Sequence, residues 1–172
     1  NGGAVEIRKD EGFPRIRTEA AAAGIFPMDT AAGAPPPPLV LEIASGYEAG
    51  WAGARIRVTI RDLPPGTARI PAGDRSAWFD ADQFEGSTLL IRSPQPGDRI
   101  RLFGSGGRRK LSDIFIDRKV PRARRRRWPV ITQTSAAGEE ILWVVGIVRS
   151  AGAIVTGETR RVVQLEAFGL WK

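Results

Sequence analysis

The sequence has no cysteine and no histidine, and these two absences remove several kinds of chemistry. Without thiols the chain forms neither disulfides nor thiolate metal sites. Without imidazoles it lacks Ser-His and Cys-His dyads, His-ligated zinc and a histidine general base. The longest apolar run, Ile141 to Val148, is too short to cross a bilayer, and no basic-then-apolar signal peptide opens the chain. We therefore expect cytoplasmic residence and no membrane partner.

The sequence does have enough apolar material for a packed core. Its 172 residues are 42% apolar, which is typical of a globular protein. This length suits one ordinary domain or two small ones. Because the chain opens with Asn1 instead of methionine, we expect it to be a piece of a longer protein.

Positive charge is concentrated in residues 104–129. This stretch has ten basic and two acidic residues and a net charge of +8, whereas the whole chain carries +7. The rest of the chain is therefore a nearly neutral scaffold. Each Arg or Lys placed against a phosphate releases a condensed counterion, so the natural partner of such a segment is a polyanion. The ten basic residues are Arg108, Arg109, Lys110, Arg118, Lys119, Arg122, Arg124, Arg125, Arg126 and Arg127.

Most of the chain has the pattern of short strands separated by turns. Residues 1–19 predict a hairpin, because alternating apolar and polar residues flank the turn Asp10-Glu-Gly12. Residues 20–38 contain an Ala run and four consecutive prolines, which is typical of a linker or a long surface loop. Residues 39–77 predict a strand-rich connecting part. Residues 78–172 then form a C-terminal domain that carries the basic segment.

Residues 55–61 show the cleanest alternation, with aliphatic side chains on one face and three arginines and a threonine on the other. We interpret the arginine face as a solvated sheet face, with a second basic strip as the alternative. Residues 141–145 predict an apolar strand buried on both faces. A last strand is predicted over about 161–168.

Two short helices are predicted inside the basic segment. Apolar residues recur at the spacing of one helix face over 111–119. Ser112 or the residues just before it would cap this helix. The residue before Pro121 disfavours the helical conformation, and the proline can open a second short helix carrying residues 122–127. Many short strands with two late helices predict an α+β fold built on antiparallel sheets.

Two motifs resemble known sites without matching them. Gly104-Ser-Gly-Gly107 lacks the Gly-Lys-Ser/Thr ending of a Walker A loop, and Arg109 breaks the dinucleotide fingerprint. The motif is equally compatible with a structural turn and with an RNA-phosphate contact. Asp80 and Asp82 suggest a divalent metal, but two carboxylates without further oxygen ligands favour a turn or a helix cap.

Four adjacent arginines, Arg124 to Arg127, suit a solvated face, a localisation tag or a nucleic-acid patch. On a turn of helix they point in all directions, so at least one faces the core or a partner. We favour contact with a polyphosphate. One rival hypothesis is a non-catalytic interaction domain that binds an acidic protein through this cluster. The other is a self-sufficient enzyme that uses carboxylates such as Asp80, Asp82, Asp113 and Asp117.

The stretch Lys110-Leu-Ser-Asp-Ile-Phe-Ile-Asp-Arg-Lys-Val-Pro121 resembles the C-terminal substrate-binding domain of bacterial tRNA(Ile)-lysidine synthetase. The resemblance is strong over about 78–166 and looser over 1–77. It is specific, because several unusual motifs occur in the family's order. These motifs are Arg92-Ser-Pro-Gln-Pro-Gly-Asp-Arg99, Leu102-Phe-Gly-Ser-Gly-Gly107, Trp128-Pro-Val, Ile141-Leu-Trp-Val-Val-Gly146 and residues 156–163.

The resemblance implies a function in tRNA modification. Members of the family join lysine to cytidine 34 of tRNA(Ile), using ATP and Mg²⁺ through an adenylated cytidine. Their ATP site lies in an N-terminal ATP-pyrophosphatase domain with a Ser-Gly-Gly-x-Asp-Ser loop, a motif that this sequence lacks. The resemblance therefore implies a tRNA-gripping C-terminal region, near the acceptor stem, with no catalytic residue, cofactor or metal of its own.

The same resemblance implies packed sheets with helices, similar to a PheRS-β-like domain. The implied partners are tRNA(Ile) and the N-terminal ATP-pyrophosphatase domain, and a homodimer is possible. Lys110, Lys119, Pro121 and Arg125 match the family's motif by position. The chain departs at Arg126, where the family often has an acidic residue. The complete predicted tRNA-binding set is Arg108, Arg109, Lys110, Lys119, Arg122, Arg124, Arg125, Arg126 and Arg127.

Overall fold

The computed structural model describes residues 6–10, 13–17, 34–67, 73–104 and 106–169. Over these residues the fold is sheet-rich, its strands pair antiparallel, and two short α-helices are present, which confirms the predicted α+β class. The elements are β1 (Glu6–Asp10), β2 (Phe13–Arg17), β3 (Leu39–Leu41), β4 (Tyr47–Trp51), β5 (Ala54–Asp62), β6 (Ser76–Asp80), a 3-10 helix (Ala81–Phe84), β7 (Thr88–Arg92), β8 (Arg99–Arg101), β9 (Arg108–Lys110), α1 (Leu111–Asp117), α2 (Arg122–Arg125), β10 (Val130–Ser135), β11 (Gly138–Val144), β12 (Val148–Arg149) and β13 (Arg161–Phe168).

The N-terminal part includes a hairpin and, later in the chain, a proline-rich segment. β1 and β2 pair antiparallel, with Asp10 opposite Phe13, where the sequence predicted a hairpin. Residues 34–38 have no regular secondary structure, and the indole of Trp51 donates a hydrogen bond to the carbonyl of Pro37 at 2.9 Å. The rest of the predicted linker over 20–38 lies outside the described residues.

A four-stranded sheet has the order β4-β5-β13-β6. Along β5 the alternation of the sequence becomes an alternation of burial, with Ile56 and Val58 fully buried and Arg57 exposed. Arg57 pairs with Glu48 at 2.6 Å, and its guanidinium carbon lies 4.7 Å from the ring centre of Phe168. The arginine face of this sheet is therefore solvated and partly neutralised by its own neighbours.

A five-stranded sheet has the order β12-β11-β10-β7-β3. Residues 141–144 of β11 are buried on both faces of the strand, as their continuous apolar sequence predicts. β10 lies between β11 and β7, and a bulge interrupts its register to β11 between Ile131 and Thr132.

Both larger sheets contribute to one apolar core, in which Val58, Phe79 and Ile131 are buried together. β5 pairs with β13, and β3 pairs with β7. Strands from the first part of the chain are thus hydrogen-bonded to strands from the last part. The domain boundary predicted between residues 77 and 78 does not coincide with a break in these sheets. The sequence could not show this, because pairing between strands so far apart in sequence leaves no local signal.

A smaller unit carries the basic segment. β8 and β9 form a two-stranded hairpin, and α1 and α2 follow it. α1 buries Leu111, Ile114 and Phe115 in a second apolar cluster with Ile100 and Val130, as the helical spacing predicts. No helix in the described ranges is long and apolar enough to span a membrane.

The two ends of α1 differ from the sequence prediction. No side chain caps its start, so the predicted Ser112 cap is wrong; the backbone N–H of Leu111 instead donates to the carbonyl of Asp98 at 3.0 Å. After the helix, Lys119 adopts a positive φ of 53°. Helices commonly end with a residue in this left-handed conformation, and glycine is usual there because it has no Cβ to crowd the backbone.

Candidate nucleic-acid interface

The predicted tRNA-binding residues lie on consecutive elements that differ in exposure. Arg108, Arg109 and Lys110 form β9, and all three are exposed. Lys119 follows α1 and is exposed as well. The other five lie in α2 or directly after it, where Arg125 and Arg127 are half-buried and the remaining three are exposed.

Two of these cations already have partners within the chain. Arg109 forms an ion pair with Asp117 of α1. The Nε of Arg125 donates a hydrogen bond to the carbonyl of Val120 at 2.9 Å. Arg125 therefore turns toward the protein. This agrees with the expectation that at least one of four adjacent arginines on one helical turn faces the core or a partner. Its orientation is fixed by the backbone, whereas no such bond fixes Arg124 among the described residues.

Two arginines of β8 join this surface, and they were missed as candidates. The register of the hairpin sets Arg99 opposite Lys110 and Arg101 opposite Arg108, and residues directly opposite in a sheet share a face. Arg99, Arg101 and Arg108 line a cavity of about 290 Å³. The signal was the alternation Arg99-Ile100-Arg101, since a fully buried Ile100 turns both of its neighbours outward.

Buried Arg92 organises the loop that leads into this hairpin. Its two terminal nitrogens donate to the carboxylate of Asp98 at 2.9 and 3.0 Å, and its Nε donates to Glu139 at 2.6 Å. Burial lowers the pKa of Arg92, but the hydrogen bonds and charges of Asp98 and Glu139 outweigh burial and raise it above the ordinary value. Arg92 is therefore a permanent cation that holds the loop and neutralises Asp98.

The tip of the hairpin is fastened to the core through Arg149. Its guanidinium carbon lies 4.6 Å from the ring centre of Phe79 and 5.3 Å from that of Phe103. It also donates to the carbonyls of Gly152 and Ala153, at 3.2 and 3.1 Å. Burial lowers the pKa of Arg149 to about 10, which still leaves it charged at neutral pH. This contact links the hairpin to the fully buried Phe79.

Lys110, Arg125 and Arg126 meet around a cleft of about 410 Å³. Its other walls come from α1, from the loop of residues 94–98 and from Pro35. The structure thus divides the predicted set. Lys110, Arg125 and Arg126 surround this cleft, and Arg108 lines the cavity of about 290 Å³. The other five predicted residues line neither of these two spaces.

Asp80 and Asp117, two of the four carboxylates singled out in the sequence, have structural partners. Asp80 accepts a hydrogen bond from the backbone N–H of Asp82 at 3.0 Å and another from the hydroxyl of Thr159 at 2.8 Å. It therefore caps the 3-10 helix, as the sequence favoured. Asp117 is paired with Arg109. In the part of the chain that the structure describes, no three acidic side chains are grouped so that they could hold a metal ion.

The fold is a sheet-rich α+β domain, and its smaller unit displays a group of exposed basic side chains. Residues 89–165 match the family of the TilS substrate C-terminal domain. A crystal structure of a TilS C-terminal domain is 30% identical to this chain, with a TM-score of 0.63, and covers 79% of this chain and 100% of its own. The chain belongs to this family.

Longer relatives match the same region. The tRNA(Ile)-lysidine synthase of Symbiobacterium thermophilum is 35% identical over 112 residues, which is 64% of this chain and 22% of the relative. That of Geobacillus kaustophilus is 36% identical over 117 residues, which is 67% of this chain and 22% of the relative. The chain therefore spans about a fifth of the length of these relatives.

Proposed function

We propose that this chain is the tRNA-binding region of a tRNA(Ile)-lysidine synthase and that its basic segment grips tRNA(Ile), near the acceptor stem. The observation that carries the proposal is a set of cations that are exposed and form no ion pair within the described residues. Family membership supports the identity of the RNA, because the matched relatives are named tRNA(Ile)-lysidine synthases. Within the predicted set, the exposed cations that form no such ion pair are Arg108, Lys110, Lys119, Arg122, Arg124 and Arg126.

The chemistry of these side chains supports a binding role. Arginine stays protonated at neutral pH, and a lysine serves as a base only where it is strongly desolvated, whereas Lys110 and Lys119 are exposed. The basic segment can therefore neutralise phosphates but cannot activate a nucleophile. In the whole enzyme, the ligation of lysine to cytidine 34, with ATP and Mg²⁺, would belong to an N-terminal ATP-pyrophosphatase domain.

Binding of this kind affects the ground state and the transition state almost equally. Uniform binding lowers KM and leaves kcat largely unchanged. At about 0.15 M salt, one lost phosphate contact corresponds to about fivefold weaker binding, from the counterion released per contact. We therefore expect single substitutions to raise the KM for tRNA by a few-fold.

The test is steady-state lysidine formation by a full-length enzyme that carries this chain, with Arg125→Ala. Arg125 is held in place by Val120, so its removal should raise the KM for tRNA(Ile) more than the removal of its untethered neighbour Arg124. Arg124→Ala is thus the matched control for the loss of one charge. An unchanged KM with a hundredfold lower kcat would contradict the binding role. Tight binding of an acidic protein with no binding of tRNA would favour the rival interaction-domain hypothesis.

A further inference from the structure

The cleft of about 410 Å³ has an apolar half that phosphate contacts alone do not require. Its lining includes Leu111 and Phe115 of α1 and the proline rings of Pro35, Pro94 and Pro96. A surface that only neutralises phosphates needs solvent-exposed cationic side chains and no apolar walls. Concave sites of about 300–1,000 Å³ with apolar walls and a few polar groups are typical of sites for small ring-bearing molecules.

The walls of this cleft are held in place by hydrogen bonds. Asp98 is fixed by the paired terminal nitrogens of Arg92, and its side chain accepts the backbone N–H of Gln95 at 2.8 Å. The backbone of Leu111 bonds to the carbonyl of Asp98 at 3.0 Å, which joins α1 to the loop. The cleft is therefore formed before any ligand arrives, and a preformed site loses little entropy on binding.

The charges around the cleft favour an anion. Lys110, Arg125 and Arg126 contribute three positive charges to its lining. Asp98 is the one acidic residue of that lining, and its carboxylate is paired with Arg92. The cleft thus combines an apolar floor, a neutralised carboxylate and a cationic rim.

We propose that this cleft receives one unpaired nucleotide of the tRNA, a step that rests on the proposed tRNA-binding function. The base would lie mainly against the proline rings, over the small exposed edges of Leu111 and Phe115, and its phosphate would lie between Lys110 and Arg125. A base inside a double helix is stacked on both sides and cannot enter such a cleft. Unpaired bases can leave the stack and pack on protein side chains, including arginine planes. Beside an acceptor stem, the unpaired nucleotides are those of the 3′ tail.

The first arm of the test compares two RNAs. Fluorescence titration of the chain with a tRNA(Ile) transcript should give a Kd about tenfold lower than titration with the same transcript trimmed of its unpaired 3′ nucleotides, since one stacked base contributes on this order. Equal affinities for the two RNAs would overturn the proposal and leave the proposed phosphate grip intact. Failure of both RNAs to bind would overturn the proposed function as well.

The second arm fills the cleft. Ser112 is exposed on α1 and lines the cleft, whereas Ile116 is exposed on the same helix and does not line it. Ser112→Trp should weaken binding of the intact tRNA about tenfold and leave binding of the trimmed tRNA unchanged. Ile116→Trp, the matched control, should leave both affinities unchanged, and circular dichroism should show both variants folded. Equal effects of Ser112→Trp on the two RNAs would show that the cleft is not where the unpaired nucleotide binds.

Discussion

Replacing Lys119 with glycine separates two effects that an alanine substitution would combine. Lys119 is an exposed cation of the predicted site, and it also adopts the left-handed conformation, with a φ of 53°. Glycine removes the charge and relieves the crowding of a Cβ in that conformation. The substitution should therefore weaken tRNA binding without destabilising the fold.

The two magnitudes follow from different physics. The left-handed conformation costs a residue with a Cβ roughly 1–2 kcal/mol. Glycine also loses more backbone entropy on folding than other residues do, which lowers the free energy of unfolding by about 0.5–1 kcal/mol. The net effect of Lys119→Gly on the free energy of unfolding is then a gain of roughly 0.5 kcal/mol. For binding, the loss of one phosphate contact corresponds to a Kd about fivefold higher at about 0.15 M salt, and to a salt slope shallower by about 0.9.

The assay pairs thermal unfolding with tRNA titration over a range of salt. Lys119→Arg keeps the charge and the strained conformation, so it is the control, and it should bind like the parent chain. A Lys119→Gly variant with unchanged Kd and unchanged slope would show that Lys119 touches no phosphate. A clearly lower unfolding temperature would refute the argument from its left-handed backbone.

Three further outcomes follow from the structure. Phe115→Ala should lower the free energy of unfolding by roughly 3–5 kcal/mol, because the ring is buried against Trp128; an unchanged thermal midpoint would contradict this. Arg92→Met should cost roughly 3 kcal/mol in chemical denaturation, because it leaves the carboxylates of Asp98 and Glu139 without their partner, and a neutral effect would refute that role. The isolated chain should bind neither ATP nor lysine, and a micromolar Kd for ATP in calorimetry would contradict this expectation.

Features that depend on local periodicity were accessible from the sequence. The alternation along β5 predicted its buried and exposed faces. The spacing of the apolar residues of α1 predicted the face that packs on the second cluster. Both patterns are set by residues within a few positions of one another, so they can be recognised without knowledge of the rest of the fold.

Features that join distant parts of the chain were not accessible. The Ser112 cap failed because α1 begins at Leu111, which places Ser112 inside the helix, and the fold brings the carbonyl of Asp98 to the N–H of Leu111. Arg92 was not recognised as an organiser, because its partner Glu139 lies 47 positions away in sequence. Arg124 and Arg125 look alike in the sequence, and in the fold Arg125 differs by its bond to the carbonyl of Val120, its partial burial and its place in the lining of the cleft.

The salt dependence of tRNA binding tests the central claim most directly. The claim is that the basic side chains of residues 104–129, including half-buried Arg125, bind the phosphates of tRNA(Ile). If about four phosphates are neutralised, the logarithm of the association constant should fall with the logarithm of salt concentration at a slope of roughly −3 to −4. Arg125→Ala should make that slope shallower by about one. A slope near zero, unchanged by this substitution, would contradict the account.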